Sequence, residues 1–359
     1  MLAVRIGKQT SGRGSFLSGR SNTIIAIKPA SDPNNSFTSL FSDAVARQGY
    51  EVRDFDWDAI AHGDADVAIL HWPFELLGVG GYRGIFPYLK HYRRLANARA
   101  NGTRIIWVAH DARPHGGGRI SSLLMRRFIR LIDGILYLSH HSAELISQSY
   151  VLPGRIAQVT TVHGHYLDVM ETPLRPPPPV GERIQLAFFG QIRRYKNVEK
   201  LARIVAGSPS GMSLAVAGRR GHEDVASEIE RIARNAANIT LDLRSDALPD
   251  AAIEDCVDRG HGVVLPYRAI LNSGAAIFAL SRGRPVLAPH TGSLPELQAM
   301  VGEQWLQLYN GDLDAVTLQC FVDRLRLHFP TGRPDLAALS WDQVGADVDA
   351  LLRSVIQHG

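Results

Sequence analysis

The chain has 359 residues, 45% hydrophobic and 21% charged, with 39 Lys and Arg against 35 Asp and Glu. These proportions are typical of a globular protein and exclude long disordered stretches, and the length favours two domains over one. The two cysteines have no partner spacing, which argues against a disulfide framework or a structural zinc site. The N-terminus shows no signal-peptide pattern, and no window holds the ~20 apolar residues of a membrane span. We expect a cytoplasmic protein, at most peripheral at the inner face of the cytoplasmic membrane.

Apolar, β-rich runs alternate with longer helical patterns along the chain, which predicts an α/β fold with parallel sheets. In the first half we expect strands at 23–27, 67–71, 104–110, 135–139 and 159–162, and helices at 37–48, 86–100, 121–132 and 142–149. The excess positive charge lies here, since residues 1–170 hold 19 Lys and Arg against 13 Asp and Glu. Part of it falls in two basic helical stretches, at 83–99 and 119–130.

A proline-rich segment, which includes four consecutive prolines at 176–179, divides the chain. Such a run cannot join a helix or a central strand, and it forms a stiff, extended spacer. A new series of strands and helices follows, with strands expected at 185–189, 213–217, 239–243, 262–266 and 285–288 and then a closing helical region. We predict a Rossmann-like domain at 1–172, a linker at 173–182 and a second Rossmann-like domain at 183–359, with the last helix packing back on the first domain. The alternative is a surface loop within one domain.

Two strand–turn–helix junctions in the second half carry the pattern of a phosphate site. In the first, a strand ends at Pro266 and the small residues Ser273, Gly274 and Ala275 open a helix, whose N-terminus attracts phosphate. The alternative is an ordinary helix capped by Asn272 or Ser273.

The second junction runs from Gly190 to a helix near Val198 and carries three cations, Arg193, Arg194 and Lys196. Cations before a helix oppose its dipole, so they predict a bound anion, although a solvated surface cluster is the alternative. Together the two junctions predict a clamp on a nucleotide diphosphate that requires no divalent metal and no other cofactor.

The second half resembles the donor domain of GT-B glycosyltransferases, in which two Rossmann-like, doubly wound domains face a cleft. The resemblance implies that 183–359 is the donor-binding domain and 1–172 the acceptor-binding domain. Gly190 to Lys196 matches the Gly–x₅–Lys spacing of those families, and 283–296 matches their closing motif. Ile270 and Phe278 stand where the large retaining families carry a pair of glutamates. The pattern at 271–274, followed by 279–281, is instead similar to a bacterial exopolysaccharide group that includes GDP-mannose:glycolipid 4-β-D-mannosyltransferase, an inverting enzyme.

That resemblance implies transfer of a sugar, with mannose from GDP-mannose as the first choice, in β linkage onto a lipid-linked oligosaccharide or another glycan. A UDP-sugar such as UDP-glucose or UDP-glucuronic acid is an alternative donor. A nucleotide-sugar epimerase or hydrolase, or an inactive sugar-nucleotide-binding protein, is the alternative of another class. A nucleic-acid partner is not expected, because the basic helices lack interleaved aromatic residues.

Candidate site residues lie at the strand ends that face the predicted cleft. For the base that deprotonates the acceptor, we predict Asp111 first, then His115, with His110 beside them; pairing of Asp111 with Arg113 is the structural alternative. We assign Trp72 and Asn35 to the acceptor. The residues assigned to the donor sugar or nucleotide are His163, His165, Tyr166, Arg268, Asn272 and Glu296. The spacings of the histidines match no common metal site, so none is predicted.

The basic helix predicted at 121–132 is a candidate membrane contact. It combines Leu123, Leu124, Phe128 and Leu131 with Arg126, Arg127 and Arg130. An anionic bilayer would attract these arginines. The alternative is that the apolar side chains belong to the core and the arginines are merely solvated.

Overall fold

A computed structural model describes residues 23–73, 85–110, 122–208 and 211–357. Its first six strands form one parallel sheet in the order β2-β1-β3-β4-β5-β6. These strands are Ile24–Lys28 (β1), Glu51–Asp54 (β2), Val67–Leu70 (β3), Arg104–Ala109 (β4), Gly134–Tyr137 (β5) and Ala157–Thr160 (β6). The helices of this half are Ser36–Arg47 (α1), Trp57–His62 (α2), Ile85–Ala100 (α3), Ser122–Ile129 (α4) and His140–Ser149 (α5).

The second sheet is also six-stranded and parallel, in the order β12-β11-β10-β7-β8-β9. Its strands are Ile184–Phe189 (β7), Met212–Arg219 (β8), Ile239–Arg244 (β9), Gly262–Val264 (β10), Val286–Pro289 (β11) and Leu306–Tyr309 (β12). The remaining helices are Val198–Ala206 (α6), Glu223–Arg234 (α7), Asp250–Arg259 (α8), Gly274–Ser281 (α9), Leu294–Val301 (α10), Ala315–Leu327 (α11) and Trp341–Gln357 (α12). In such sheets ligands bind at the carboxyl ends of the strands, where the strand order reverses. Here those places lie between β1 and β3 and between β7 and β10.

The burial of a strand depends on its position in the sheet. Every residue of β3, β5 and β11 is buried, because helices cover both faces of a parallel sheet. The edge strand β2, by contrast, has one half-buried residue and three exposed ones. The sequence analysis missed β2 because Glu51–Asp54 has no apolar pattern, and it missed β12 by treating the end of the chain as helical.

The last helix packs against the first sheet. Apolar residues along α12, including Trp341, Val348 and Leu352, lie in one buried cluster with Ile25, Val67 and other core residues of the first half. Tyr50 Oη also donates to Asp349 of α12, over 2.8 Å. The first half is therefore built from both ends of the chain.

The proline-rich segment is fixed to the second half by two arginines that are almost fully buried. Arg282 donates to the carbonyl oxygens of Thr172 and Pro173, and Arg284 donates to those of Arg175 and Pro176, over 3.0 to 3.3 Å. Both guanidinium groups also pair with the buried carboxylate of Asp258. Since unpaired buried charges are costly, this network binds the segment firmly to the second half.

The chain passes between the two halves twice, near His165 and near Trp341, and these two connecting segments contact each other. The indole of Trp341 donates to the carbonyl oxygen of His165 over 2.7 Å, and the amide of His165 donates to that of Leu339 over 2.9 Å. A side chain at Gly164 would collide with the Trp341 ring. This close contact explains the glycine and joins the two crossings into one connection.

The predicted membrane contact is only partly exposed. Phe128 and Leu131 belong to the core, where Phe128 packs on Trp107 of β4 with ring centroids 6.1 Å apart, so the prediction that they face lipid is wrong. Leu123 is 52% exposed, and the three arginines of this segment, Arg126, Arg127 and Arg130, are exposed as well. None of the helices in the described ranges is long and apolar enough to cross a bilayer.

Candidate active site

The turn after β7 brings a lysine over a glycine. Gly190 has φ 109°, a conformation that favours glycine, and a Cβ added there would lie 3.0 Å from Lys196 Nζ. The same ammonium lies 5.4 Å from the ring centroid of Tyr267. The Gly–x₅–Lys spacing thus folds back so that the lysine covers the end of the strand.

Lys196 and Arg193 form a pair of like charges in this turn. Neither makes an ion pair with a carboxylate of the described residues, and Arg193 Nε donates only to Gln191 Oε1, over 2.9 Å. Burial, and secondarily the charge of Arg193, lower the pKa of Lys196 to about 8. A bound anion would relieve both penalties, which makes this turn a favourable place for a diphosphate.

Arg194, the third cation predicted for this site, has a partner of its own. Its guanidinium lies 2.6 Å from Asp224, and both side chains are largely exposed. The structure therefore gives Arg194 a surface ion pair and leaves two cations in the turn.

The second predicted junction lies directly against the first. The amide of Arg268 donates to the carbonyl of Tyr195 over 2.8 Å, and the Arg268 side chain is exposed. Ser273 caps α9 by accepting the amide of Ala276 over 3.2 Å, so it serves as the N-cap that the alternative interpretation foresaw. The loop that leads from β10 to α9 therefore contacts the turn at Lys196.

The first half contacts α9 at its first residue. A Cβ added at Gly274 would lie 2.8 Å from Tyr166 Oη and 3.4 Å from His163 Nε2. Burial lowers the pKa of His163 to about 4, and its Nδ1 lies 3.0 Å from the carbonyl of Gly164. The ring is therefore neutral with Nε2 as its hydrogen-bond acceptor. The glycine therefore allows the close approach of the first half to the start of α9.

His165 lies at the crossing of the halves described above, and its backbone makes the contacts there. Sequence reasoning placed it at the donor as part of the His-rich turn that follows the strand near Val159.

Aromatic rings line the strand ends of the first half. Trp72 stacks on His110 with centroids 4.6 Å apart, and Phe37 lies 4.9 Å from His110 and 4.5 Å from His163. His71 Nδ1 lies 2.9 Å from His110 Nε2, and burial lowers the pKa of His71 to about 3. His71 is thus a neutral neighbour that orients the His110 ring, a relationship that the chain spacing of 39 residues conceals.

Asn35, Asp111 and His115 were also predicted to belong to the site. Asn35 caps α1 by accepting the amide of Phe37 over 3.3 Å, which gives it a structural role at the rim of this cluster. Asp111 and His115 lie outside the described residues.

Asn272 and Glu296 reach across to the first half. Asn272 Nδ2 donates to the carbonyl oxygen of His110 over 3.1 Å, and Glu296 accepts the amides of His140 and His141. The sequence analysis assigned both residues to the donor sugar or nucleotide. In the structure their side chains join the two halves.

A cavity of about 240 Å³ lies between the halves beside these contacts. His163 and Thr161 line it from the first half, and Ser273, Ile277 and Glu296 from the second. Within the described ranges no three His, Cys, Asp or Glu side chains cluster as metal ligands would.

Comparison with known proteins identifies relatives along most of the chain. Two proteins of Xanthomonas campestris pv. campestris, both named GDP-mannose:glycolipid 4-beta-D-mannosyltransferase, are each 30% identical over 326 residues, which cover 89% of this chain and 87% of theirs. The chain belongs to this glycosyltransferase family. As a member of the mannosyltransferase family, it is an enzyme that transfers a sugar from a nucleotide sugar, as the sequence analysis predicted. No family model matches the sequence.

Solved structures show the fold of this family member. Anabaena HepE in complex with UDP superposes with a TM-score of 0.60 at 12% identity, covering 93% of this chain and 98% of HepE. Sucrose-phosphate synthase from Thermosynechococcus elongatus also gives 0.60, at 15% identity, covering 93% and 96% of the two chains. The chain therefore has the GT-B fold, which confirms the predicted fold class.

Proposed function

We propose that this glycosyltransferase moves mannose from GDP-mannose, with inversion, onto a lipid-linked glycan acceptor in exopolysaccharide assembly. The observation that carries the proposal is a pair of cations, Arg193 and Lys196, that no carboxylate of the described residues pairs with, in a turn that contacts the loop leading to α9. Its donor and acceptor follow those in the name of the two Xanthomonas relatives.

The donor half supplies stabilisation of the leaving group. Negative charge grows on the diphosphate as its bond to the sugar breaks, and preorganised cations and backbone N–H groups stabilise that charge. Lys196 and Arg193 are the cations, and the backbone of Ser273, Gly274 and Ala275 supplies the N–H groups. Because the fixed charges neutralise the diphosphate, the proposed reaction requires no divalent metal.

The acceptor half supplies the base. Inversion requires the acceptor hydroxyl to lose its proton while its oxygen attacks the anomeric carbon from the face opposite the diphosphate. Asp111 follows β4 and is the proposed base, with His115 as the second choice and the His110 ring beside them. Trp72, stacked on His110, offers an aromatic face for the acceptor sugar.

The donor and the stereochemistry can be tested together. Purified protein is incubated with radiolabelled GDP-mannose, UDP-glucose or UDP-glucuronic acid and a polyprenyl-diphosphate-linked oligosaccharide. We expect label in the lipid fraction with GDP-mannose alone, and a β-mannosyl signal in the NMR spectrum of the product. Transfer from a UDP-sugar would contradict the proposed donor. Consumption of every nucleotide sugar without a glycolipid product would contradict the proposed transfer to a lipid-linked acceptor.

We also propose that three exposed arginines in α4 and directly after it hold the enzyme on anionic lipid, where a lipid-linked acceptor resides. Each Lys or Arg near such a surface contributes about 1 kcal/mol, so replacing Arg126, Arg127 and Arg130 with glutamate is expected to abolish flotation with phosphatidylglycerol vesicles. The matched control reverses three exposed arginines of the donor half, Arg231, Arg234 and Arg259, and should still float. Equal flotation of both variants would reject this surface.

A further inference from the structure

The carboxyl end of β1 carries a half-buried lysine at the point where the strand order of the first sheet reverses. Lys28 is the last residue of β1, and its Cα partner in β3 is Leu70. Leu70 packs with Tyr88 of α3 in a buried cluster. Because paired residues of neighbouring strands point to the same face of a sheet, the Lys28 side chain lies on the face that α3 covers. A ligand bound at this reversal would therefore meet the lysine.

Aromatic rings lie on the same face, at the starts of α2 and α3. The His91 ring of α3 lies over the Trp57 ring of α2, with centroids 4.2 Å apart and ring planes at 33°. Phe55, which directly follows β2, contacts Trp57 edge-on with centroids 4.8 Å apart. His91 Nδ1 is buried, and no described residue forms a hydrogen bond with it. The rings therefore fix an imidazole in place and leave one of its nitrogens without a partner.

Positive charge surrounds the His91 ring. Burial lowers the pKa of His91, and the charges of Arg94, Lys28 and Lys90 lower it further. The imidazole is therefore mainly neutral at pH 7. The three cations come from two elements, because Lys28 ends β1 whereas Lys90 and Arg94 belong to α3. Their charges meet at His91 although they are far apart in the chain.

Two carboxylates at the start of α2 face this cluster, and neither neutralises the lysines. Asp58 pairs with Arg94 over 2.5 Å. Asp56 caps α2 by accepting the amides of the second and third residues after it. No carboxylate of the residues that the structure describes forms an ion pair with Lys28 or Lys90. The cluster therefore has a net positive charge and two cations that an anion can bind.

We infer that Lys28 and Lys90, beside the stacked rings of Trp57 and His91, form a second anion site, which binds the diphosphate of the lipid-linked acceptor. A diphosphate matches the two lysines in charge, and lysine is a common phosphate ligand. The site lies in the half opposite the cations after β7, to which the diphosphate of the donor is assigned. The inference rests on the proposed function for the identity of its ligand, and on the cluster itself for the existence of an anion site.

Occupancy of the site can be measured without sugar transfer. A negative charge near an imidazole favours its charged form, so a bound anion should raise the pKa of His91. Inorganic pyrophosphate is the probe, and saturating GDP occupies the donor site. The His91 ring is followed by NMR in histidine-labelled protein and assigned with His91→Gln. We expect pyrophosphate to raise the pKa of His91 in the wild type and to leave it unchanged in Lys28→Met.

Transfer kinetics test the identity of the ligand. Loss of a hydrogen bond to a charged phosphate weakens binding about tenfold or more, so Lys28→Met and Lys90→Met should each raise the acceptor KM by that factor. The kcat and the Kd for GDP should stay within about twofold, because the lysines act on acceptor binding alone. With the same oligosaccharide on a neutral lipid that lacks the diphosphate, both variants should have the KM of the wild type.

Arg93→Met is the matched control. Arg93 is an exposed cation of the same helix, and it is absent from the charges that act on His91. Its loss should leave the acceptor KM unchanged. Melting temperatures verify folding, and Lys90, which is exposed, provides a variant that should fold even if Lys28→Met does not.

Four outcomes would overturn the inference. Pyrophosphate that leaves the pKa of His91 unchanged in the wild type would remove the anion site. An equal rise of KM with the neutral-lipid acceptor, or in Arg93→Met, would remove the role of the diphosphate. Loss of flotation with phosphatidylglycerol vesicles in Lys28→Met, at an unchanged acceptor KM, would assign the cluster to a phospholipid headgroup.

Failure of the proposed function is recognised separately. It would appear in the wild type as an absence of transfer to any lipid-linked acceptor. A rise of the pKa of His91 with pyrophosphate would then still establish the anion site, while its assignment to the acceptor would be wrong.

Discussion

Lys196 gives the sharpest test of the proposed diphosphate site, because the charge that is proposed to bind the donor destabilises the protein when no anion is bound. Its pKa falls from 10.5 to about 8. At 1.36 kcal/mol per pKa unit, this shift corresponds to about 3 kcal/mol of destabilisation at pH 7, as an upper bound because the side chain keeps some solvent contact. Lys196→Met retains the length of the side chain and removes the charge. We therefore expect the variant to be at least as stable as the wild type at pH 7.

The sign of the pH dependence follows from the direction of the shift. Because the folded-state pKa lies below the unfolded one, the penalty is complete below pH 8 and disappears as the pH rises towards 10.5. The stability advantage of Lys196→Met should thus shrink between pH 7 and pH 9.5. Loss of a hydrogen bond to a charged phosphate costs about 1.5–3 kcal/mol, so GDP should bind about 10- to 150-fold more weakly.

Urea unfolding at pH 7 and 9.5 and calorimetric titration with GDP measure these effects. Lys200→Met is the control, since Lys200 lies four residues away and has a carboxylate partner in Asp312, at 3.2 Å. It should leave GDP affinity unchanged and lower stability by at most about 1 kcal/mol. A Lys196→Met variant that is less stable than the wild type at pH 7, with unchanged GDP affinity, would refute both the buried-charge argument and the site.

Three further substitutions test other parts of the molecule. Gly274→Ala places a methyl group against Tyr166 Oη and should destabilise the protein by about 1–3 kcal/mol in urea unfolding. Tyr166→Phe removes that oxygen, so adding it should restore the stability; no recovery would contradict the contact. Asp111→Asn should lower kcat by about 10²–10⁴-fold with nearly unchanged donor affinity, and full activity of this variant together with loss in His115→Ala would move the base to His115. Arg282→Met leaves buried carboxylates without their partner and should cost about 3–5 kcal/mol in urea unfolding, whereas a loss below 1 kcal/mol would contradict that cost.

The sequence predicted most of the fold because parallel, doubly wound sheets leave a strong local pattern. Buried strands such as Val67–Leu70 are continuous apolar runs, and the helices between them show helical periodicity. The edge strand Glu51–Asp54 is mostly exposed, so neither face carries an apolar signal. Its pairing with β1 is long-range information that no local window contains.

The candidate site could be predicted only as far as local chemistry determined it. The turn from Gly190 to Lys196 is a contiguous motif, and its cations, together with the Gly–x₅–Lys spacing shared with GT-B families, indicated an anion site. Whether a charged side chain in it faces the cleft depends on partners elsewhere, and Arg194 pairs with Asp224 of the next helix.

The contacts between the halves could not be predicted, because they join residues far apart in the chain. Asn272 and His110 are separated by 162 positions, and Glu296 and His140 by 156. Local composition marked these polar residues as belonging to the cleft, but it could not distinguish a side chain that binds substrate from one that binds the other half.

The packing of α12 against the first sheet has a consequence for biosynthesis. Trp341, Val348 and Leu352 supply part of the core around β1 and β3, and they are synthesised after every strand of the two sheets. The donor half, by contrast, has all its strands and the arginines that fix its proline segment between residues 172 and 309. During translation the C-terminal half should therefore reach its final structure before the N-terminal half does. Until α12 has been made, part of the N-terminal core stays exposed to solvent. Truncation just before Trp341 should accordingly give a protein that aggregates through its N-terminal sheet, although no strand has been removed.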